Sequence, residues 1–307
     1  MGMSQELYSC FDFRFASDIP LGELTPAADA DSREIVTIRR GDVPETLEGA
    51  SEPRYGLQAR SDVALLVIPD VARYLISGGR EIVVEASDRA SECNLRLFLL
   101  GSALGILAYQ RGLLPIHANA IVFGGAAYAF SGPSGAGKST LAAHFARAGY
   151  ELLCDDVCGL SPGAGGVPLA WPGLPRLKLW EDAARAFGHD TAALDRAIEG
   201  REKFHVPIGA AHGRRAVPLK RLYTLAPALE GEAGSVVRLT GGAAMAAVMA
   251  NTYRGEYLAI LGLTRWHFER AATMLRHVEV YAVTRAWGYD VFAEEAARLE
   301  AHVAGAA

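Results

Sequence analysis

Eight residues, GPSGAGKS at 132–139, constrain this chain more than any other stretch. They complete the pattern G-x-x-x-x-G-K-[ST]. Gly132, Gly135 and Gly137 let the backbone curl so that successive amides point inward at phosphate oxygens. Before the loop, AIVFGGAAYAF (120–130) reads as two short strands around Gly124-Gly125. After it, STLAAHFARA (139–148) reads as a helix stopped by Gly149. That strand–loop–helix context separates a phosphate cradle from an ordinary glycine-rich turn and commits this part of the chain to an α/β sheet. Lys138 is then expected to reach the β- and γ-phosphates and Ser139 to ligate Mg²⁺. The nucleotide loop comprises Gly132, Pro133, Ser134, Gly135, Ala136, Gly137, Lys138, Ser139 and Thr140.

The next strand, YELLC (150–154), ends in two adjacent carboxylates, Asp155 and Asp156. Side by side they repel, and burying them is costly unless a cation or a proton offsets the charge. At the carboxyl end of a strand one helix after a phosphate loop, they face the ligand crevice of an open α/β sheet, provided the two strands are neighbours. One carboxylate holds the metal or its water and the other accepts a proton from an attacking hydroxyl, the division that phosphoryl transfer requires. A strand-end pair that only caps a turn is the plainer alternative. His117, in PIHAN, opens the strand region before the loop. It is either a satisfied half-buried side chain or a group that tunes the aspartates.

The rest of the chain bounds the setting. Its 307 residues are 50% hydrophobic and 21% charged, the composition of an ordinary folded protein. A net charge of −5 gives no global reason to expect nucleic acid or an anionic membrane as partner. Four scattered cysteines make neither a disulfide framework nor a zinc site. The N-terminus MGMSQELYSCFDF lacks a basic start and apolar core. The charge-free run 112–137 is broken by Pro115, His117, Asn119 and glycines, as suits buried strands. The protein reads as cytoplasmic.

Strands are expected at 11–15, 34–40 and 63–69, with a hairpin over 71–86. A buried helix is expected over 91–110. Further on, 221–226 and 278–284 read as strands and 241–253, 264–278 and 291–303 as helices. The domains expected are therefore 1–112, strand-rich and ending in the buried helix, and 113–307, the P-loop catalytic domain.

Three stretches, LLPIHANAIVF, FSGPSGAGKSTLA and ELLCDDV, together resemble the catalytic domain of the HPr kinase/phosphorylase family. PGLPRLKLW (172–180) is similar to the HPr-kinase-related branch that includes lasso-peptide precursor kinases. The resemblance covers about 113–223. It implies an α/β fold of the HPr-kinase type that uses ATP and Mg²⁺, with Asp155 and Asp156 as base and metal partner and His117 as their assistant. It also implies transfer to a serine hydroxyl of a peptide or protein and, since HPr kinases form rings, a homo-oligomer. The long arginine- and asparagine-containing signature of true HPr kinases is absent, which points from HPr toward a peptide acceptor such as a lasso-peptide precursor.

Among the basic residues of 176–221, Arg201, Lys203 and Arg176 are candidates to stabilise the transferring phosphate or an acidic acceptor. EGREKFHVPIG (199–209) reads as a mobile loop able to close over substrate. A transport ATPase is disfavoured, because LTGGA (239–243) has no apolar strand ending in Asp-Glu after it. An HPr-type carrier-protein kinase, a small-molecule kinase and a nucleotide-dependent regulatory module without an acceptor stay open.

Overall fold

The computed structural model describes residues 6–27, 33–208, 212–213, 215–229, 234–286 and 288–305. Eight strands make a first sheet: β1 (Glu6–Cys10), β2 (Phe13–Ser17), β3 (Thr25–Pro26), β4 (Ile35–Arg40), β5 (Leu57–Arg60), β6 (Val63–Ile68), β7 (Ala72–Ser77) and β8 (Glu81–Ala86), in the order β3-β1-β2-β4-β8-β7-β6-β5. The expected strand over 11–15 is corrected. Phe11, at φ 53°, and Asp12 turn a hairpin whose arms are β1 and β2. The alternation misleads because the Phe11 ring joins the same buried core as Phe13 and Phe15 while its amide donates to the Pro172 carbonyl at 2.7 Å.

The buried helix forms as expected. α1 (Glu92–Phe98) runs through a π-helical turn at Leu99–Ala103 into α2 (Leu104–Gln110). Ser91 caps it by accepting from the Asn94 amide. Its apolar face, with Leu95, Leu99 and Leu107, shares one core with Phe13, Phe15 and Tyr74 of the first sheet. By length and composition this helix can cross a membrane, yet 61% of its apolar window is buried inside the protein.

The remaining strands are β9 (Leu114–Ile116), β10 (Ala118–Phe123), β11 (Ala126–Ser131), β12 (Glu151–Cys154), β13 (Cys158–Pro162), β14 (Pro168–Trp171), β15 (Arg176–Trp180), β16 (Lys203–Pro207), β17 (Val217–Pro227), β18 (Ser235–Leu239) and β19 (Glu279–Arg285). The helices that go with them are α3 (Lys138–Arg147), α4 (Glu181–Ala186), α5 (Gly241–Ala250), α6 (Thr264–Met274) and α7 (Tyr289–Ala304). The second sheet follows β12-β10-β11-β17-β14-β13-β9, with β19 beside β17 and β18 beside β19. Within it β11, β17 and β19 run parallel, so their carboxyl ends open on one side. The helix α3 packs against β10, β12 and β15: Leu141, Ala142 and Phe145 are buried, Phe145 stacks on Phe130 of β11 at 5.4 Å, and Phe130 stacks in turn on Tyr223 of β17 at 5.0 Å. The four cysteines are free thiols.

Two further expectations change. The strands β11 and β12 are not neighbours, because β10 lies between them and is antiparallel to both. Also, 199–209 is not loop throughout. Within it Lys203–Pro207 forms β16 and pairs with β15 in a two-stranded ribbon, where Phe204 and Val206 are buried along with Leu177 and Leu179; Gly209 lies outside the described residues.

Candidate active site

The P-loop follows directly from β11. Gly132 there takes φ 142°, and a Cβ on it would stand 2.5 Å from the Leu225 carbonyl oxygen, so only glycine fits this first bend. Gly137, left-handed at φ 73°, starts α3, whose free amides and positive end face the loop's interior. Nζ of Lys138 donates to the Gly132 and Pro133 carbonyls at 2.7 and 3.1 Å, spanning the curl it belongs to. Two side chains from elsewhere pin the loop. Asn119, fully buried on β10, donates through Nδ2 to the Lys138 carbonyl. Arg285, at the end of β19 and 3% exposed, donates through Nη2 to the Ala136 carbonyl at 2.6 Å.

A cleft of about 300 Å³ opens beside the loop. Its lining brings together Ser134, Gly135, Gly137, Lys138, Ser139 and Thr140 with His117, Asp155, Asp156, Lys178 and Lys203. Asp155 and Asp156 reach it although β12 is two strands from β11, because the turn from β12 to β13 carries them under the start of α3. The hydroxyl of Ser139 donates to Asp155, with Oδ1 at 3.0 Å and Oδ2 at 3.3 Å. Oδ2 also accepts the Lys178 amide at 2.9 Å. Asp156 takes φ 78°, a left-handed conformation that Asp tolerates better than most residues. This turns its carboxylate the other way, to Lys178 Nζ at 2.7 Å and His117 Nδ1 at 3.4 Å. His117 Nδ1 also stands 2.8 Å from the Asp156 carbonyl oxygen, so that nitrogen carries the proton and donates.

The two carboxyls are pushed in opposite directions. Burial first, then the neighbouring Asp156 charge, raises Asp155, against the Lys178 amide and the Ser139 hydroxyl. Burial alone would raise Asp156 as well, but Lys178, His117 and Lys203 outweigh it and hold that carboxyl well below the ordinary range. Burial lowers Lys138, Lys203 and His117, each partly offset by the aspartates. The site therefore holds a carboxylate committed to its ionised form beside one that resists ionisation, a separation of environments that accompanies acid–base work.

The ribbon supplies the cations. Alternation along β15 puts Arg176, Lys178 and Trp180 on one face, and the register sets His205 opposite Lys178 and Lys203 opposite Trp180. Lys203 Nζ lies 5.5 Å from the Trp180 ring centroid and lines the cleft. Arg176, on the same face, does not line the cleft. It is 8% exposed and pairs with Glu23, which also binds Arg96 at 2.7 Å. Arg201 stands outside the cleft, exposed, with its carbonyl accepting from Arg196. Lys178, Asn119 and Arg285 complete the constellation without having been singled out from the sequence. For Lys178 the alternation R-L-K-L-W was the available signal. For the other two there was none, since both act through distant main-chain atoms.

The donor set suits a hard cation. A serine hydroxyl and a carboxylate converge beside the phosphate loop, which is what Mg²⁺ takes from a protein when phosphate oxygens and water fill its other positions. Among the described residues no group of three or more His, Cys, Asp or Glu side chains is arranged for a metal.

No protein-family model matches the chain, and no curated protein does. Among solved structures, the Hpr(Ser) kinase/phosphatase from Coxiella burnetii is similar at 12% identity and a TM-score of 0.34, over 63% of this chain and 99% of that one. So loose a superposition leaves the weight on the residues. What they define is a mixed α/β protein with a P-loop cleft and a strand-rich N-terminal region.

Proposed function

We propose that the protein is an ATP-dependent kinase of the HPr-kinase-like type, transferring the γ-phosphoryl group to a serine hydroxyl of a peptide or protein. A lasso-peptide precursor is the preferred acceptor. The observation that carries this reading is the split aspartate pair at the mouth of a P-loop: Asp155 joined to the Ser139 hydroxyl, and Asp156 turned to His117 and Lys178. A binding module needs the first half of that arrangement and has no use for the second.

In this reading the loop amides and Lys138 hold the β- and γ-phosphates, and Lys203 approaches them from the opposite wall. Ser139 and Asp155 would hold Mg²⁺, which supplies neutralisation of phosphate charge when bound. Asp156 receives the acceptor hydroxyl's proton as the new O–P bond forms and the bond to the β-phosphate oxygen breaks. Lys178 and His117 keep that carboxylate ionised and aimed. A carboxylate of low basicity suffices because a loose phosphoryl-transfer transition state asks little of its base. The reading keeps a domain division near 112, where α2 gives way to β9.

Intact-mass analysis after incubation with Mg-ATP and a serine-ended precursor peptide, HPr, or no acceptor tests it. A gain of one phosphoryl group on one acceptor, lost in Asp156→Asn, names the substrate class. ATP bound without transfer to any acceptor would replace this reading with the regulatory module or a small-molecule kinase.

A further inference from the structure

His117 is held from behind as well as from the front. Its backbone amide donates to the Asn251 carbonyl at 2.7 Å, and the Tyr253 amide donates to the Pro115 carbonyl at 2.9 Å. Ile116 and Thr252 form a bridge between these bonds, so 251–253 lies along 115–117 like a short extra strand. The Tyr253 ring falls beside the imidazole, 5.9 Å between centroids and tilted by 44°.

The Tyr253 ring also rests against a notch of the helix 92–110, with the Arg254 guanidinium 5.6 Å from its centroid. Gly101 and Gly105 lie one turn apart on one helix face. A Cβ at Gly101 would stand 3.2 Å from the Tyr253 hydroxyl oxygen, and one at Gly105 3.1 and 3.2 Å from ring carbons Cε1 and Cδ1. Both contacts are tighter than an ordinary Cβ contact, so either methyl would press on the ring. Glycine inside a helix weakens it, and π-helical turns are uncommon and concentrate at functional sites. Here the π turn Leu99–Ala103 contains Gly101 and directly precedes the turn bearing Gly105. Tyr109 of α2 adds a hydrogen bond from its hydroxyl to the Tyr253 carbonyl at 2.6 Å. Helix propensity is given up along this segment, and the ring of Tyr253 occupies the space so made.

We propose that Tyr253 is a positioning residue: packed against the glycine notch of helix 92–110 and beside the imidazole, it fixes the ring of His117 against Asp156. Its influence on the reaction passes through His117, and the N-terminal helix is thereby one wall of the site's support. The kinetic part of this proposal rests on the kinase reading; the structural part does not.

The test separates the two. Long-range ¹H–¹⁵N spectra of the histidine side chains of the full chain report the His117 tautomer, with His117→Asn supplying the assignment. Wild type and Tyr253→Phe should hold the Nδ1–H form, whereas Tyr253→Ala, and Tyr253→Leu as a volume-keeping substitute should the alanine variant fail to fold, should populate both tautomers. Persistence of the Nδ1–H form in the folded Ala or Leu variant would overturn the proposal, as would the same disturbance in Tyr253→Phe. In the phosphorylation assay the aliphatic variants should lower kcat about tenfold, short of the roughly 10²–10⁴-fold that loss of an acid–base group itself costs, with KM for ATP unchanged. Combined with His117→Asn they should add no further loss. Equal losses in both backgrounds would make Tyr253 a plain packing residue. A shifted tautomer with no kinetic effect would leave the positioning role standing and remove His117 from the reaction.

Discussion

The two walls of the cleft are built in opposite ways. One is a single loop that presents main-chain amides, fixed by glycines and pinned at two carbonyls by Asn119 and Arg285. The other is made of side chains from four separate places, His117, Asp156, Lys178 and Lys203, each held by contacts outside its own element. A wall of amides binds any phosphate of the right shape. On the kinase reading proposed above, a wall of mutually paired charges would aim at one reacting group and fail when one member is lost.

That contrast can be tested in descending order of effect. Asp156→Asn should reduce phosphoryl transfer by about 10³-fold, within the 10²–10⁴ range of general-base catalysis, while ATP affinity measured by calorimetry shifts by less than about threefold. Equal losses in both would abolish the distinction between the walls. Lys138→Ala removes charge-assisted bonds to phosphate and should lower kcat/KM for ATP by about 100-fold, mainly through binding. Lys203→Ala should raise KM for ATP by roughly fivefold, about 1 kcal/mol for one partly buried cation. An unchanged KM would move Lys203 from the nucleotide to the acceptor.

The smallest effect has the sharpest sign. Asp155 is raised, so above its folded pKa it is a buried charge that opposes folding, and that cost is relieved as pH falls through that value. Asp156 is depressed, so its stabilisation is present above the ordinary carboxylate range and lost as pH falls toward its folded value. At pH 7, without nucleotide or metal, Asp155→Asn should raise Tm and Asp156→Asn should lower it. Each shift should be about 2–4 °C for roughly 1 kcal/mol. The gap should narrow below about pH 4, where Asp156 begins to lose its advantage. Shifts of one sign in scanning calorimetry would show that the two carboxyls share one environment.

The sequence declared the amide wall because its geometry is local: glycine spacing and a following helix suffice, as at Gly132 and Gly137. It located Asp155, Asp156 and His117 only as candidates, because their pairing depends on a turn at Asp156 and on β15, which a one-dimensional reading does not join. The helix 92–110 and the hairpin over 71–86 were legible from periodicity and turn chemistry. The strand β10 between β11 and β12 was not, since sequence distance carries no strand order. Arg201 and Arg176 are marked in the sequence by charge alone, whereas Lys178 is distinguished by its place on β15, where it lines the cleft and pairs with Asp156. The ribbon itself was hidden by the charged composition around it.

The bond from Arg285 to the Ala136 carbonyl spans 149 residues. Between them lie the parallel pairings of β11 with β17 and of β17 with β19, which close late because long segments must be ordered first. The P-loop, a local motif in sequence, therefore owes part of its support to one of the longest-range contacts in the described residues. During synthesis the segment 132–140 leaves the ribosome long before the strand that secures it. On the kinase reading proposed above, nucleotide would meet the loop in its final form only once 279–285 has docked, so its binding would mark completion of the second sheet.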